Sequence, residues 1–162
     1  MMRDVVELSQ YKTRIQLRKV NQSTLAVVES KAAWEEIKQQ QEDYTQWQLA
    51  ETQRLFDALA AKPATTEQLK TYNSTLATFK HTLLSLNKNL SIAESEYSRD
   101  RDQLTQEKQQ LHQLQNKQEK FEYVSHQLDD IVANQRRQKE EEQAMDDHSS
   151  ISQTITFISK ER

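Results

Sequence analysis

Leu69-x-x-Tyr72-x-x-x-Leu76-x-x-Phe79-x-x-x-Leu83-x-x-Leu86-x-x-x-Leu90-x-x-Ala93-x-x-x-Tyr97 steps along the chain by threes and fours, and Leu104, Leu111, Leu114, Phe121, Leu128 and Val132 extend the frame. A spacing that averages 3.5 residues lays one narrow apolar stripe along a helix. That is the seam of a left-handed coiled coil rather than the broad face of a globular core. The expected molecule is a rod. Of the nineteen seam positions from 69 to 132, four are polar (Asp100, Glu107, Gln118 and Ser125), and all four fall in the later part. The half of the seam nearer the middle of the chain should therefore pack more tightly, with the polar positions setting register at a cost in stability.

Composition points the same way. The 162 residues include no Gly, no Cys and one Pro, with 35% hydrophobic and 29% charged residues. Without glycine a chain makes few tight turns, so one main break is expected. That break is Lys62-Pro63-Ala64-Thr65-Thr66-Glu67. Pro63 lacks a backbone donor and drives Lys62 out of the helical region, and Thr65 or Thr66 can cap a new helix with Glu67 and Gln68 in its first turn. Two helices joined by about four residues fold back on each other. The predicted fold class is all-α, a long two-helix antiparallel coiled-coil hairpin, with helix one over about 3–61, a turn at 62–65 and helix two over about 66–145.

Helix one would run roughly 85 to 90 Å, and helix two would overhang the N-terminus by several turns. In helix one the apolar residues Leu8, Tyr11, Ile15, Leu25, Val28, Ala32, Trp34, Ile37, Tyr44, Leu55 and Leu59 fit no single heptad frame, and Arg18 and Gln22 interrupt them. From Asp146 the helical period fades. Ile151, Thr154, Ile155, Thr156, Phe157 and Ile158 carry only weak strand propensity, so residues 146–162 are read as a flexible tail.

Most chemistry is excluded. Without glycine there is no phosphate-binding loop, dinucleotide fingerprint or nucleophile elbow. His81, His112, His126 and His148 lack metal-ligand spacing, and the adjacent Glu140, Glu141 and Glu142 point in different directions on a helix. Neither catalysis nor a cofactor or metal is expected. Net charge is only −3, so nothing argues for a polyanion-binding protein as a whole. The N-terminus mixes charges into Val5, Val6 and Leu8 and shows no signal-peptide core, and no apolar run reaches the roughly 20 residues that span a bilayer. The expected location is cytoplasmic, with no direct membrane insertion.

Two surface regions remain. Asp43-Tyr44-Thr45-Gln46-Trp47-Gln48-Leu49-Ala50-Glu51-Thr52-Gln53-Arg54-Leu55-Phe56-Asp57 crowds three aromatics near the turn. One seam cannot take all three, so Trp47 and Phe56 are expected at the surface beside Arg54, in the composition of a protein-binding hot spot. Tyr44 fits seam or surface, while Tyr72, Leu76, Phe79 and Leu83 have seam spacing. At the opposite end Arg3, Lys12, Arg14, Arg18 and Lys19 outnumber Asp4 and Glu7, with Arg136, Arg137 and Lys139 on the overhang. This basic end either steers toward an acidic partner or is a solvated face paired with Asp129, Asp130 and Glu140.

The 43–57 stretch resembles the central stalk proteins of bacterial injectisomes, the YscO branch of the family that includes the flagellar protein FliJ. A basic N-terminus, the turn a few residues later and the Glu140-Glu141-Glu142-Gln143-Ala144-Met145-Asp146-Asp147 stretch agree with it. The resemblance implies a coiled coil similar to the gamma subunit of rotary ATP synthases, without enzymatic activity, on the axis of a hexameric secretion ATPase at the cytoplasmic face of the bacterial inner membrane. It implies that Arg3, Arg14, Arg18, Lys19, Arg136 and Arg137 form the ATPase end. Tyr44, Trp47, Gln48, Glu51, Arg54, Phe56 and Tyr72 would meet the cytoplasmic domain of the export gate. Export chaperones are further implied partners. The competing readings are a passive scaffold or chaperone-like binder with an adhesive tip, and a parallel homodimer in which the break at Pro63 is a kink. Nucleic-acid binding is disfavoured, because the basic end has no stacking platform.

Overall fold

The computed structural model describes residues 1–161. It contains two helices, α1 (Met2–Ala60) and α2 (Thr66–Lys160), and no strand among the described residues. The fold is all-α, an antiparallel two-helix coiled-coil hairpin. Packing divides the chain into two units, one of Met1–Ile15 with His112 onward and the other of Gln16–Leu111.

Chemistry at the turn explains its position. Ala61 still donates to the Asp57 carbonyl at 3.1 Å, after which Pro63 ends the ladder. Thr65 is the N-cap of α2: its Oγ1 accepts from the Gln68 amide at 3.2 Å while the Thr65 amide donates to Gln68 Oε1 at 3.1 Å. This reciprocal pair is a capping box, and it satisfies two donors that a new helix otherwise leaves open.

In the unit of Gln16–Leu111, residues of rising number on α1 meet residues of falling number on α2. Gln16 Nε2 donates to the Glu107 carbonyl at 3.0 Å, the Trp34 and Tyr97 rings stack at 5.6 Å, and Gln41 Nε2 donates to Asn87 Oδ1 at 3.1 Å. Trp47 meets Phe79 edge-on at 5.1 Å. The α2 seam matches the sequence ladder here: Tyr72, Leu76, Phe79, Leu83, Leu86, Leu90, Ala93, Tyr97, Asp100, Leu104, Glu107 and Leu111 are all sheltered. In the unit of Met1–Ile15 with His112 onward, Leu114, Gln118, Phe121 and Ser125 continue the frame, and Gln10 Nε2 donates to Glu122 Oε1 at 3.2 Å. The seam ends there, since Leu128 and Val132 are exposed.

The apolar residues of helix one share no single heptad frame, but a frame of mixed polarity runs through it: Ser9, Thr13, Gln16, Val20, Ser23, Val27, Ser30, Trp34, Ile37, Gln41, Tyr44, Gln48, Glu51 and Leu55 are all sheltered. Leu8, Tyr11, Leu25 and Val28, which obscured that frame in the sequence, lie exposed. Small polar residues suit the seam because they find partners inside it. The Thr13 hydroxyl donates to the Ser9 carbonyl at 3.0 Å, and the Ser23 hydroxyl donates to Glu107 Oε2. The apolar core is thin as a result, with only Val20, Phe79 and Ala93 buried among the described residues.

Helix two runs past its expected end near residue 145. Residues 146–160 continue α2 as helix, and Arg162, the last tail residue, lies outside the described residues. No Gly or Pro interrupts this stretch, so the helix propagates at little cost once formed. The Thr154 and Thr156 hydroxyls donate back to the Ser150 and Ser152 carbonyls at 2.9 and 2.8 Å, so both hydroxyls find acceptors within the helix.

The polar seam predicts an acid response. Glu107 is held below its ordinary carboxylate pKa, first by the Ser23 hydroxyl, then by Gln103 and by the charge of Lys19. A depressed folded-state pKa adds stability above the pKa of the unfolded chain and loses it as pH falls through the folded value. The melting-temperature gap between wild type and Glu107→Gln should therefore be full at neutral pH and shrink below about pH 4. A gap that stays constant down to strong acid would contradict this role for the carboxylate.

Candidate functional site near the turn

The 43–57 stretch lies on the last turns of α1, within the unit of Gln16–Leu111. Its heptad spacing sorts the residues. Tyr44, Gln48 and Glu51 occupy seam positions, and Trp47 and Arg54, seven residues apart, lie beside the seam on a common flank. Trp47 is 50% exposed, yet its ring is fixed from two sides, by Tyr44 at 5.5 Å and by buried Phe79 at 5.1 Å. Edge-to-face and tilted arrangements of this kind favour a defined ring orientation. The site therefore presents a large apolar surface that loses little side-chain freedom on contact.

Arg54 and Glu51 add a charged neighbour. Arg54 Nε donates to Glu51 Oε2 at 3.0 Å, and its Nη2 donates to the other carboxylate oxygen, a two-pronged ion pair. The Arg54 hydrogen bond holds the Glu51 carboxyl below its usual range, and the Glu51 hydrogen bond in turn raises the Arg54 guanidinium. Arg54 thus lies two turns along the helix from Trp47, on the same flank, with its carboxylate requirement already met in part. Gln48 is less well served. Its Oε1 is buried with no hydrogen-bond partner among the described residues. An unmet acceptor costs about 1 to 3 kcal/mol, so this is a weak layer of the seam.

Phe56 does not share the Trp47 surface. Nine residues are about two and a half helical turns, so the two rings lie on opposite sides of α1. Phe56 is 54% exposed, and its neighbour seven residues back, Leu49, is 69% exposed. The sequence reading grouped Trp47 and Phe56 in one patch; the helix separates them, and it adds Leu49, which that reading did not single out. The spacing of seven between Leu49 and Phe56 was the available signal. Tyr72 on α2 is a half-buried seam residue.

The basic residues divide between the two units. Arg3, Arg14, Arg136 and Arg137 belong to the unit of Met1–Ile15 with His112 onward, and Arg18 and Lys19 belong to the other. Arg3 lines a shallow groove with Val6, Glu7, Gln10, Glu122 and His126. Arg14 is exposed on α1, and Arg136 and Arg137 are exposed on the part of α2 that follows the end of the seam. Lys19 lends its charge to Glu107. Among the described residues none of these six forms an ion pair within 4.0 Å, so the pairing considered with Asp129, Asp130 and Glu140 is not made. Among the described residues no group of His, Asp or Glu is placed to hold a metal ion, and no helix is long and apolar enough to cross a membrane.

Comparison with known proteins bears on the family and the fold. The family model described as type III secretion protein YscO matches residues 2–150. Among solved structures, the crystal structure of type III secretion protein YscO from Vibrio parahaemolyticus is similar, with a TM-score of 0.76 and 19% sequence identity over 92% of each chain. At that identity the likeness speaks to the fold. A search of curated proteins found no match.

Proposed function

We propose that this chain, which belongs to the YscO family of type III secretion proteins, is the central stalk of the export apparatus, linking a hexameric secretion ATPase to the export gate. The observation that carries this reading is the surface at Trp47: a half-exposed indole braced by Tyr44 and Phe79, next to the Glu51–Arg54 ion pair. Rigid aromatics flanked by arginine have the composition of an interface anchor. We assign this surface, with Gln48 and Tyr72 supporting it from the seam, to the cytoplasmic domain of the export gate.

The exposed basic residues Arg3, Arg14, Arg18, Lys19, Arg136 and Arg137 are assigned to the ATPase. Their charge suits a partner with acidic loops, where it raises the rate of encounter. The chain supplies no chemistry of its own in this account. A single asymmetric helix pair inside a sixfold ring cannot make equal contacts with every subunit, so it biases the subunits in turn as ATP is hydrolysed. The protein acts at the cytoplasmic face of the secretion apparatus, and export chaperones are further partners.

Hydrolysis by the purified ATPase, measured with and without the chain under ring-forming conditions, tests the coupling. The stalk reading expects the rate to change. It also expects the change to be lost with Arg3→Glu, Arg14→Glu and Arg18→Glu combined. An unaltered rate would favour the passive scaffold.

A further inference from the structure

Between Tyr72 and Tyr97 every seam position of α2 is apolar: Tyr72, Leu76, Phe79, Leu83, Leu86, Leu90, Ala93 and Tyr97. The α1 seam in the same unit interleaves Gln41, Gln48 and Glu51 with Trp34, Ile37, Tyr44 and Leu55, and Gln48 leaves an acceptor unmet. Helix α2 thus faces a partner less apolar than itself. A second α2 would offer it a richer seam, because in a parallel pair each seam residue meets its own copy.

Two acidic seam residues oppose that exchange. Asp100 and Glu107 lie one heptad apart at equivalent, half-buried positions of α2. Within the chain, Glu107 is fully served by the pairing it has. Its carboxylate accepts from the Ser23 hydroxyl of α1 and from Gln103 Nε2 at 2.9 Å, and its carbonyl accepts from buried Gln16 at 3.0 Å. Asp100 lies 3.9 Å from the Arg99 guanidinium. In a parallel α2–α2 pair both carboxylates would meet their own copies in the seam, and Glu107 would lose Ser23 and Gln16. Like charges held together in a seam are repelled, and a desolvated carboxylate without donors is costly.

We propose that the α2 seam is a latent self-association surface for a second copy of this chain, and that Asp100 and Glu107 keep it committed to α1. Single charged positions of this kind are known to select the partner and register of coiled coils. Replacing both by leucine converts the later seam to one that a second α2 fits better than α1 does.

The test uses the full chain with Leu90→Cys as a reporter, in the wild-type and the Asp100→Leu, Glu107→Leu backgrounds. Analytical ultracentrifugation across a range of concentrations reads the assembly state, and oxidation reads whether Cys at 90 meets its own copy. The expected result is a single chain in the wild-type background, and in the doubly substituted one a dimer that forms an interchain disulfide. A substituted chain that stays monomeric and helical overturns the proposal. So does a wild-type background that already dimerises with the disulfide, or a dimer that forms without it. Asp100→Asn, Glu107→Gln guards against a trivial change in solubility: keeping the polar seam but not the charge, it should dimerise less than the leucine variant, and an equal or greater tendency contradicts the account.

Discussion

Phe79→Ala should destabilise the protein by about 3 kcal/mol, the largest stability effect expected of any single truncation here. The reason is local. Phe79 is 8% exposed and is one of only three buried apolar residues among those described, and it supports the Trp47 ring edge-on at 5.1 Å. Removing its ring opens a gap that neighbouring seam residues fill only in part, and it frees Trp47 to change its pose. Leu84, five residues further on, is 58% exposed and is the matched control. Its truncation should change stability by no more than about 0.5 kcal/mol. Urea titration followed by circular dichroism measures both. Equal losses from Phe79→Ala and Leu84→Ala would mean that the heptad seam is not what holds the helices together.

The second large effect is on binding. Trp47→Ala should weaken association with the cytoplasmic domain of the export gate by about 2 kcal/mol, roughly thirtyfold, with helicity retained. Because Trp47 and Phe56 lie on opposite sides of α1, their effects should separate. Phe56→Ala should cost severalfold at most if the gate approaches the Trp47 flank, and the double variant should lose little beyond Trp47→Ala. Isothermal titration with each single variant decides this. A dominant loss at Phe56 would move the interface to the Leu49–Phe56 side of the helix.

These effects rest on features of unequal visibility in the sequence. The α2 seam was legible because its positions are filled by Leu, Phe and Tyr, residues whose spacing reports burial directly. The α1 seam was not, since Ser9, Gln16, Ser23, Gln41 and Gln48 carry no hydropathic signal, whereas Leu8, Tyr11, Leu25 and Val28 suggest a frame and then lie exposed. What makes the polar frame work is a set of hydrogen bonds across the pair, such as Ser23 to Glu107, which exist only once the helices are aligned. The turn was readable from Pro63 and the two threonines that follow, because both signals act within a few residues, while the structure selects Thr65 as the cap and adds its reciprocal pair with Gln68. At the C-terminal end the periodicity fades while the helix continues through residue 160, because periodicity reports a packing partner and not the helix itself.

The candidate site shows the same division. The exposure of Trp47 and Phe56 followed from counting rings against seam positions, and both are half-exposed. Their placement on opposite sides was available from the spacing of nine, which rotates one ring about half a turn from the other around the helix. The bracing of Trp47 by Phe79 joins residues 32 positions apart and requires the antiparallel register.

The central claim is that one chain joins two machines, so the most direct measurement is a bridging pull-down. Immobilised secretion ATPase is incubated with the cytoplasmic domain of the export gate, with and without the chain. The account predicts that the gate domain is retained only when the chain is present, and that Trp47→Ala sharply reduces its retention while the chain itself stays on the ATPase. Gate retention without the chain, or binding of the chain to each partner only in competition with the other, would contradict it.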